Sequence, residues 1–274
     1  MPRNHLLAIP VFNEEAYLTR VLTSARRYSR NILVVDDGST DRTPHLLRRQ
    51  DGVEIITHPE NRGYGLSLAD AFAFAIRRGF RWLITMDCDE QHDAAVIPRF
   101  VDVASEDDAD IISGTRYPGG HEGTSGAPAD RREINRRITA MLNDRLNLSL
   151  TDAFCGFKAY RVAGLERLSI TVPGYAMPMQ FWVQVARASL RVRELPVELI
   201  YNDPTRHFGG FLDDPAARLQ HYVEVFEAEL ASPSRSASPD AGVTDRTGRT
   251  ADEPCVPCAR PSVRSSKPCS TSQK

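Results

Sequence analysis

The chain has 274 residues, 41% of them apolar, and a formal net charge of −2, which is enough apolar matter to bury one large core or two small ones. A charge so near neutral exerts no general pull on nucleic acid or on anionic membranes, and no run of about 18 uncharged apolar residues offers a transmembrane helix. Five cysteines, an odd number, argue against a disulfide framework, so the reducing cytoplasm is the expected setting.

Met1-Pro-Arg-Asn-His5 leads straight into an apolar run and is not expected to be a signal peptide. Residues 6–12 form that run, short enough for a buried strand. Asn13-Glu14-Glu15 is then expected to open a helix, with Asn13 as N-cap and Tyr17, Leu18, Val21, Leu22 and Ala25 at helical spacing. Residues 32–41 read as a strand that ends in a polar turn, a helix follows over 43–49, and another strand over 53–57. After Asn61-Arg-Gly-Tyr-Gly65 a helix runs through Ala69, Phe72, Ala73 and Ile76 and stops at Gly79. Trp82 to Met86 read as a buried strand that meets Asp87-Cys88-Asp89 at its end. A helix through Val96, Phe100 and Val103 and a strand over 110–117 come next.

Residues 118–129 are a Gly-rich loop. Residues 131–148 are helical, with Ile134, Ile138, Leu142 and Leu146 on one face and Arg131, Arg132, Arg136 and Arg137 on the others. A turn and short strand over 151–160 and a helix over 179–190 precede residues 191–197, expected to be a short edge strand because Pro196 cannot donate to a ladder. Residues 211–230 carry Leu212, Ala216, Leu219, Val223, Phe226 and Leu230 in one stripe. Acidic side chains dominate the opposite face, so this helix is expected to pack on the domain or a second subunit rather than on a membrane. From Ala231 onward Ser, Pro, Arg and Thr take over, and the tail 231–274 is expected to be disordered. Its Cys255-x-x-Cys258 lacks a second ligand pair at zinc spacing.

Strands alternating with helices predict an α/β protein with a mainly parallel sheet. Ligands bind such sheets beyond the carboxyl ends of the strands, and Asn13-Glu14, Asp36-Asp37, Asp87-Asp89 and Arg116 all fall on that side. Asp87 and Asp89, one residue apart, would raise each other's pKa unless a cation sat between them. Carboxylate oxygens suit hard ions such as Mg²⁺ or Mn²⁺, and Gln91 adds a neutral oxygen. The plainer alternative makes the two aspartates caps of the next helix. Asp36 and Asp37 fit an Asx-turn as well as a ligand contact, Arg116 fits a surface ion pair, and the four-arginine cluster fits a solvated helix face. His92 and His207 read as turn or helix-end residues rather than bases, and Lys158 and Arg206 stand evenly between ligand contact and structure.

Five motifs occur in order: Pro10-Val-Phe-Asn-Glu-Glu15, Val35-Asp-Asp-Gly-Ser-Thr-Asp41, Asn61-Arg-Gly-Tyr-Gly65, Met86-Asp-Cys-Asp-Glu-Gln91 and Gly114-Thr-Arg-Tyr117. With Asp152-Ala-Phe-Cys-Gly-Phe-Lys-Ala-Tyr160 and Gly174-Tyr175, the chain resembles the family 2 glycosyltransferases over residues 6–210, most of all the polyprenyl-phosphate (dolichol-phosphate) mannosyltransferases. The resemblance implies a GT-A fold, a Rossmann-like sheet flanked by helices, over residues 1–230. A nucleotide-binding half would run to about residue 117 and an acceptor half would follow from 118. It implies that Pro10, Phe12 and Glu14 line the nucleotide pocket, that Val35 and Asp37 face base and ribose, and that Asp87 and Cys88 also contact the nucleotide. Asp87, Asp89 and Gln91 would hold the metal and diphosphate. Arg116 would meet the sugar phosphate or acceptor phosphate, and Arg131 and Arg206 the anionic groups opposite.

The implied activity is metal-dependent, inverting hexosyl transfer from a GDP-mannose or UDP-glucose type donor to polyprenyl phosphate, at the cytoplasmic side and in peripheral contact with the inner membrane face. Membrane contact would fall to the loop 119–129 and the arginine-bearing helix after it; a homodimer fits the same picture. Two alternatives stand beside it, namely transfer to a soluble or glycan hydroxyl, with Asp152 as base, and nucleotide-sugar binding without turnover. The chain departs from the family at Gln180, where a glutamate is usual, and over residues 203–210, which lack the Arg-x-x-Gly-x-Ser-Lys pattern.

Overall fold

Burial along the strands alternates between two cores, as side chains of period two on a sheet covered on both faces require. The computed structural model describes residues 3–120, 127–198, 200 and 209–233. In β1 (Arg3–Val11) Leu6 and Ala8 enter one core, while Leu7, Ile9 and Val11 enter the other. β2 (Ile32–Asp36) repeats this with Leu33 and Val35 against Ile32 and Val34, and β4 (Phe80–Thr85) with Leu83 against Trp82 and Ile84. The second core is closed by α1 (Leu18–Ala25), α2 (Thr43–Leu47) and α4 (Ile97–Ser105). The first is closed by α3 (Tyr64–Arg77), α5 (Ala129–Leu146), α6 (Val162–Leu165), α7 (Met177–Arg187) and α8 (Pro215–Ala231).

With β3 (Glu54–Thr57), β5 (Ile111–Thr115), β6 (Lys158–Arg161) and β7 (Val192–Pro196), the seven strands take the order β3-β2-β1-β4-β6-β5-β7. The expected mainly parallel sheet is there, with β6 as its antiparallel member, paired to both β4 and β5. That reversal matters, because it brings the segment before β6, residues 152–157, to the carboxyl ends of β4 and β5. β7 is the edge strand expected from Pro196 and pairs in parallel with β5.

Local chemistry moves several helix starts. Asn13 is not an N-cap: it adopts φ +56°, and its side-chain oxygen accepts from the backbone N–H of Thr40 and Asp41, tying the turn after β1 to the turn after β2. α1 therefore begins at Leu18. The stretch 211–230 is also interrupted, by a 3₁₀ turn over Gly210–Asp213, after which Asp214 caps α8 through Ala217 N–H at 2.7 Å with Pro215 in the first turn. α8 packs on α5 and α7, with Phe226 fully buried, as its acidic outer face suggested. No helix among the described residues is long and apolar enough to cross a membrane. The loop tip 121–126, Arg206, His207, most of the segment 203–210 and the tail from 234 lie outside the described residues.

Candidate functional site

β1 sits between β2 and β4, so the chain leaves the sheet in opposite directions on either side of it and a crevice opens at the carboxyl ends of β1 and β4. A pocket of about 600 Å³ lies there, and it gathers most of the expected site residues: Pro10, Phe12, Glu14, Asp37, Asp87, Cys88, Asp89, Gln91, Arg116 and Arg131. Val35 is a correction. It is fully buried in β2 and belongs to the core beneath α3, because the alternation that turns Asp36 and Val34 one way turns Val35 into the packed face.

The turn after β4 is shaped around its carboxylates. Asp87 Oδ1 accepts from the Tyr64 hydroxyl at 3.1 Å, and its backbone N–H donates to His92 Nδ1 at 3.1 Å. Gly156, just ahead of β6, makes room for it: a Cβ there would lie 2.3 Å from Asp87 Oδ2. Asp89 Oδ1 accepts from Gln91 N–H, and Glu90, at φ +59°, turns away to a two-pronged pair with Arg20. Burial pushes the His92 imidazole down to about 4, so it is neutral near pH 7, with Nδ1 accepting, and it stacks on Phe157. The helix-cap alternative for Asp87 and Asp89 does not hold, since Asp93 caps the following turn through Ala95 N–H.

Among the described residues no three His, Cys, Asp or Glu side chains cluster tightly enough to cage a metal. Asp87, Asp89 and Gln91 nevertheless offer hard oxygen donors on one pocket wall. This donor set fits Mg²⁺ or Mn²⁺ shared with substrate phosphates better than it fits a closed protein cage. Asp37 has more than one duty. Its Oδ1 accepts from Arg62 N–H and lies 2.6 Å from His58 Nδ1, and its Oδ2 accepts from Gly63 N–H at 2.7 Å. Asp36 braces the turn after β2 by accepting from Ser39 N–H, three residues on.

Arg116, which also lines the pocket, forms a two-pronged ion pair with buried Asp152, Nε to Oδ2 at 2.7 Å and Nη2 to Oδ1 at 3.0 Å. Asp152 is wholly inaccessible and also accepts from Asn135 Nδ2 and from the backbone N–H of Arg116 and Phe154. Burial alone would raise its pKa; the Arg116 guanidinium and these donors hold it well below the carboxylate range instead. Arg116 is correspondingly held above its ordinary value by Asp152, against the effect of burial. Asp152 does not line the pocket, and its two oxygens already accept from five donors, three of them on Arg116.

The arginine cluster divides. Arg131 faces the pocket, while Arg136 and Arg137 are exposed and pair with Glu133. Lys158 is buried, donates to the Cys155 carbonyl and is held below its usual pKa by burial, so it is structural. Gln180 is also structural: its Oε1 accepts from Thr171 and Val172 N–H and its Nε2 donates to Thr171 Oγ1 and Glu229. It braces the loop ahead of α7 and does not line the pocket.

The pocket also takes in residues that carried no assigned role in the sequence. Tyr64, Tyr175, Phe154 and Tyr222 form an aromatic wall, and Ser67 and Arg218 line it as well. The Ser67 hydroxyl is buried with no hydrogen-bond partner among the described residues. Arg218 reaches Asp130 at 2.6 Å and the Leu212 carbonyl. It sits on the helix face that periodicity assigned to solvent, and its bonds to Asp130 and the Leu212 carbonyl hold it inside.

Comparison with known proteins agrees with this geometry. The glycosyl transferase family 2 model matches residues 7–169. An undecaprenyl-phosphate mannosyltransferase of Micrococcus luteus is 28% identical over 228 residues, covering 79% of this chain and 93% of the relative. A polyprenol monophosphomannose synthase of Mycolicibacterium smegmatis is 28% identical over 203 residues, covering 70% and 76%. Among solved structures, glucosyl-3-phosphoglycerate synthase of Mycobacterium tuberculosis, in complex with Mn²⁺, UDP and phosphoglyceric acid, superposes with a TM-score of 0.64 at 17% identity, covering 84% of this chain and 80% of that one. The architecture is the GT-A fold, and the chain belongs to glycosyltransferase family 2.

Proposed function

We propose that the protein transfers a hexose from a nucleoside diphosphate sugar, of the GDP-mannose or UDP-glucose type, to polyprenyl phosphate with inversion at the anomeric carbon. Residues 1–230 form the catalytic unit in this reading. The observation that carries it is the Arg116–Asp152 pair at the pocket. A hydroxyl acceptor needs a general base within reach, and the carboxylate beside Arg116, Asp152, is locked by that arginine. A phosphate monoester is largely dianionic near pH 7, with a second pKa of about 6, and needs no base. Arg116 and Arg131 supply cationic donors for such a group, and the Phe154–Tyr222 pair, with ring centroids 5.0 Å apart, supplies an apolar surface beside them. The two mannosyltransferase relatives support the same acceptor class.

Asp87, Asp89 and Gln91 would hold the divalent ion, which when bound would neutralise charge building on the leaving diphosphate. Pro10, Phe12, Glu14 and Asp37 would seat the nucleoside. Arg116, fixed in direction by Asp152, would hold the acceptor phosphate close to the sugar, a contribution of orientation rather than proton transfer. A panel of nucleotide sugars, each with Mn²⁺ and with or without a short polyprenyl phosphate, tests this. Nucleotide release from one donor should rise at least about tenfold when the lipid phosphate is present. Equal release with a soluble hydroxyl acceptor and none with the lipid would assign the alternative acceptor. Donor binding without release would leave only a binding protein.

A further inference from the structure

The motif Gly63-Tyr64-Gly65 has a structural consequence that the donor and acceptor contacts above leave unused. Gly63 adopts φ +93°, and a Cβ there would lie 2.4 Å from the Pro173 carbonyl oxygen; one on Gly65 would lie 2.1 Å from the Val172 carbonyl oxygen. The two glycines let the loop before α7 close onto the start of α3, where Gly65 N–H donates to the Pro173 carbonyl at 2.6 Å. Gln180 and Glu229 hold that loop from behind. Tyr64 stands between the glycines. Its ring stacks on Tyr175, centroids 5.9 Å apart at 21°, and its hydroxyl donates to Asp87 Oδ1. Tyr175 is 44% exposed and forms part of the pocket wall contributed by the acceptor half.

We infer that Tyr64 is a positioning residue that sets the Asp87 carboxylate for the metal-bound donor and links it, through the ring stack, to the Tyr175 loop. The inference rests on the reading of Asp87 as part of the metal and diphosphate site. Asp87 leaves the sheet at the end of β4, with Gly156 backing one oxygen and Tyr64 holding the other. Without the hydroxyl, rotation about the carboxylate is freer and the oxygen aimed at a cation is less defined. Partners of this kind, one step from the ligating atom, typically change metal affinity 10–100-fold. The stack limits how Tyr64 itself moves, so loss of Tyr175 should reach Asp87 only by way of Tyr64.

The test uses the full chain and calorimetry with UDP and GDP, with and without Mn²⁺. Tyr64→Phe keeps the ring and its stack and removes only the hydroxyl. The Mn²⁺-dependent affinity should fall about tenfold, with metal-free affinity within twofold of the parent and the melting temperature nearly unchanged. Tyr175→Ala should weaken Mn²⁺-dependent binding about threefold in the parent and add almost nothing in the Tyr64→Phe background, the non-additivity expected of residues acting through one contact. Affinity unchanged in Tyr64→Phe, an equal loss without metal, or a large drop in melting temperature would each overturn the inference, as would additive losses in the double variant. If the parent itself binds neither nucleotide in a metal-dependent way, the metal reading of Asp87 falls and takes this inference with it; a failure confined to the variants leaves that reading in place.

Discussion

Asp89→Ala should abolish metal-dependent binding of a nucleoside diphosphate, with a loss of at least about a hundredfold, while the fold survives. Asp89 lies in a partly exposed turn on the pocket wall, and its Oδ1 accepts from Gln91 N–H at 3.0 Å, so it also shapes the turn that presents Gln91. Removing it takes away a hard anionic oxygen and loosens a neutral one. A cation that shares its shell with phosphates relies on few protein ligands, and one ligand then decides affinity. Destabilisation should be slight, because the substitution leaves no buried charge and relieves repulsion with Asp87. Calorimetry with Mg²⁺ or Mn²⁺ and nucleotide, beside a melting curve, checks both halves of the expectation. Unchanged affinity would mean that the two carboxylates serve the turn alone.

Asp152→Asn should instead strike the fold. Asp152 is wholly buried, and Arg116 is part-buried, with 21% of its side chain exposed. Breaking a buried pair by removing one charge strands the other, at a cost of about 3–5 kcal/mol. In a domain of this size each kcal/mol lowers the melting temperature by about 2–4 °C, so a fall of about 10 °C is expected, with loss of transfer because Arg116 is no longer aimed. The pH dependence has a definite sign. The folded pKa of Asp152 is depressed below the unfolded value of about 3.9. Its contribution is therefore fully present above about pH 5 and is lost as pH falls through the acid range below the unfolded pKa. A variant that melts like the parent yet cannot turn over would return Asp152 to the role of base.

How far the site could be read from the sequence depends on the range of the interaction concerned. The strand ends were legible because apolar runs stop at polar turns, and these place Glu14, Asp37, Asp87, Asp89 and Arg116 at one edge whatever the packing. The direction of β6 was not legible: Lys158–Arg161 is four residues long and equally compatible with either orientation. Yet that direction decides that Asp152 meets Arg116 and that Gly156 meets Asp87. Val35 was misplaced for a related reason, since the motif names neighbours in sequence whereas the pleat sends alternate side chains to opposite faces. Asn13 satisfied the composition rule for a cap, but the orphan N–H groups of a second loop, at Thr40 and Asp41, competed for its oxygen. The Tyr64–Tyr175 stack and the Arg218–Asp130 pair join segments far apart in the chain, and no local pattern carries such a pairing.

Product identity tests the central claim most directly. The full chain should be incubated with the best nucleotide sugar from the panel, Mn²⁺ and a short-chain polyprenyl phosphate, and the lipid product analysed by mass spectrometry and ³¹P NMR. A glycosyl phospholipid formed one for one with released nucleoside diphosphate, its anomeric configuration opposite to the donor's, is the predicted result. Nucleotide release with no sugar on the phosphate, or sugar found on a hydroxyl acceptor instead, would contradict it.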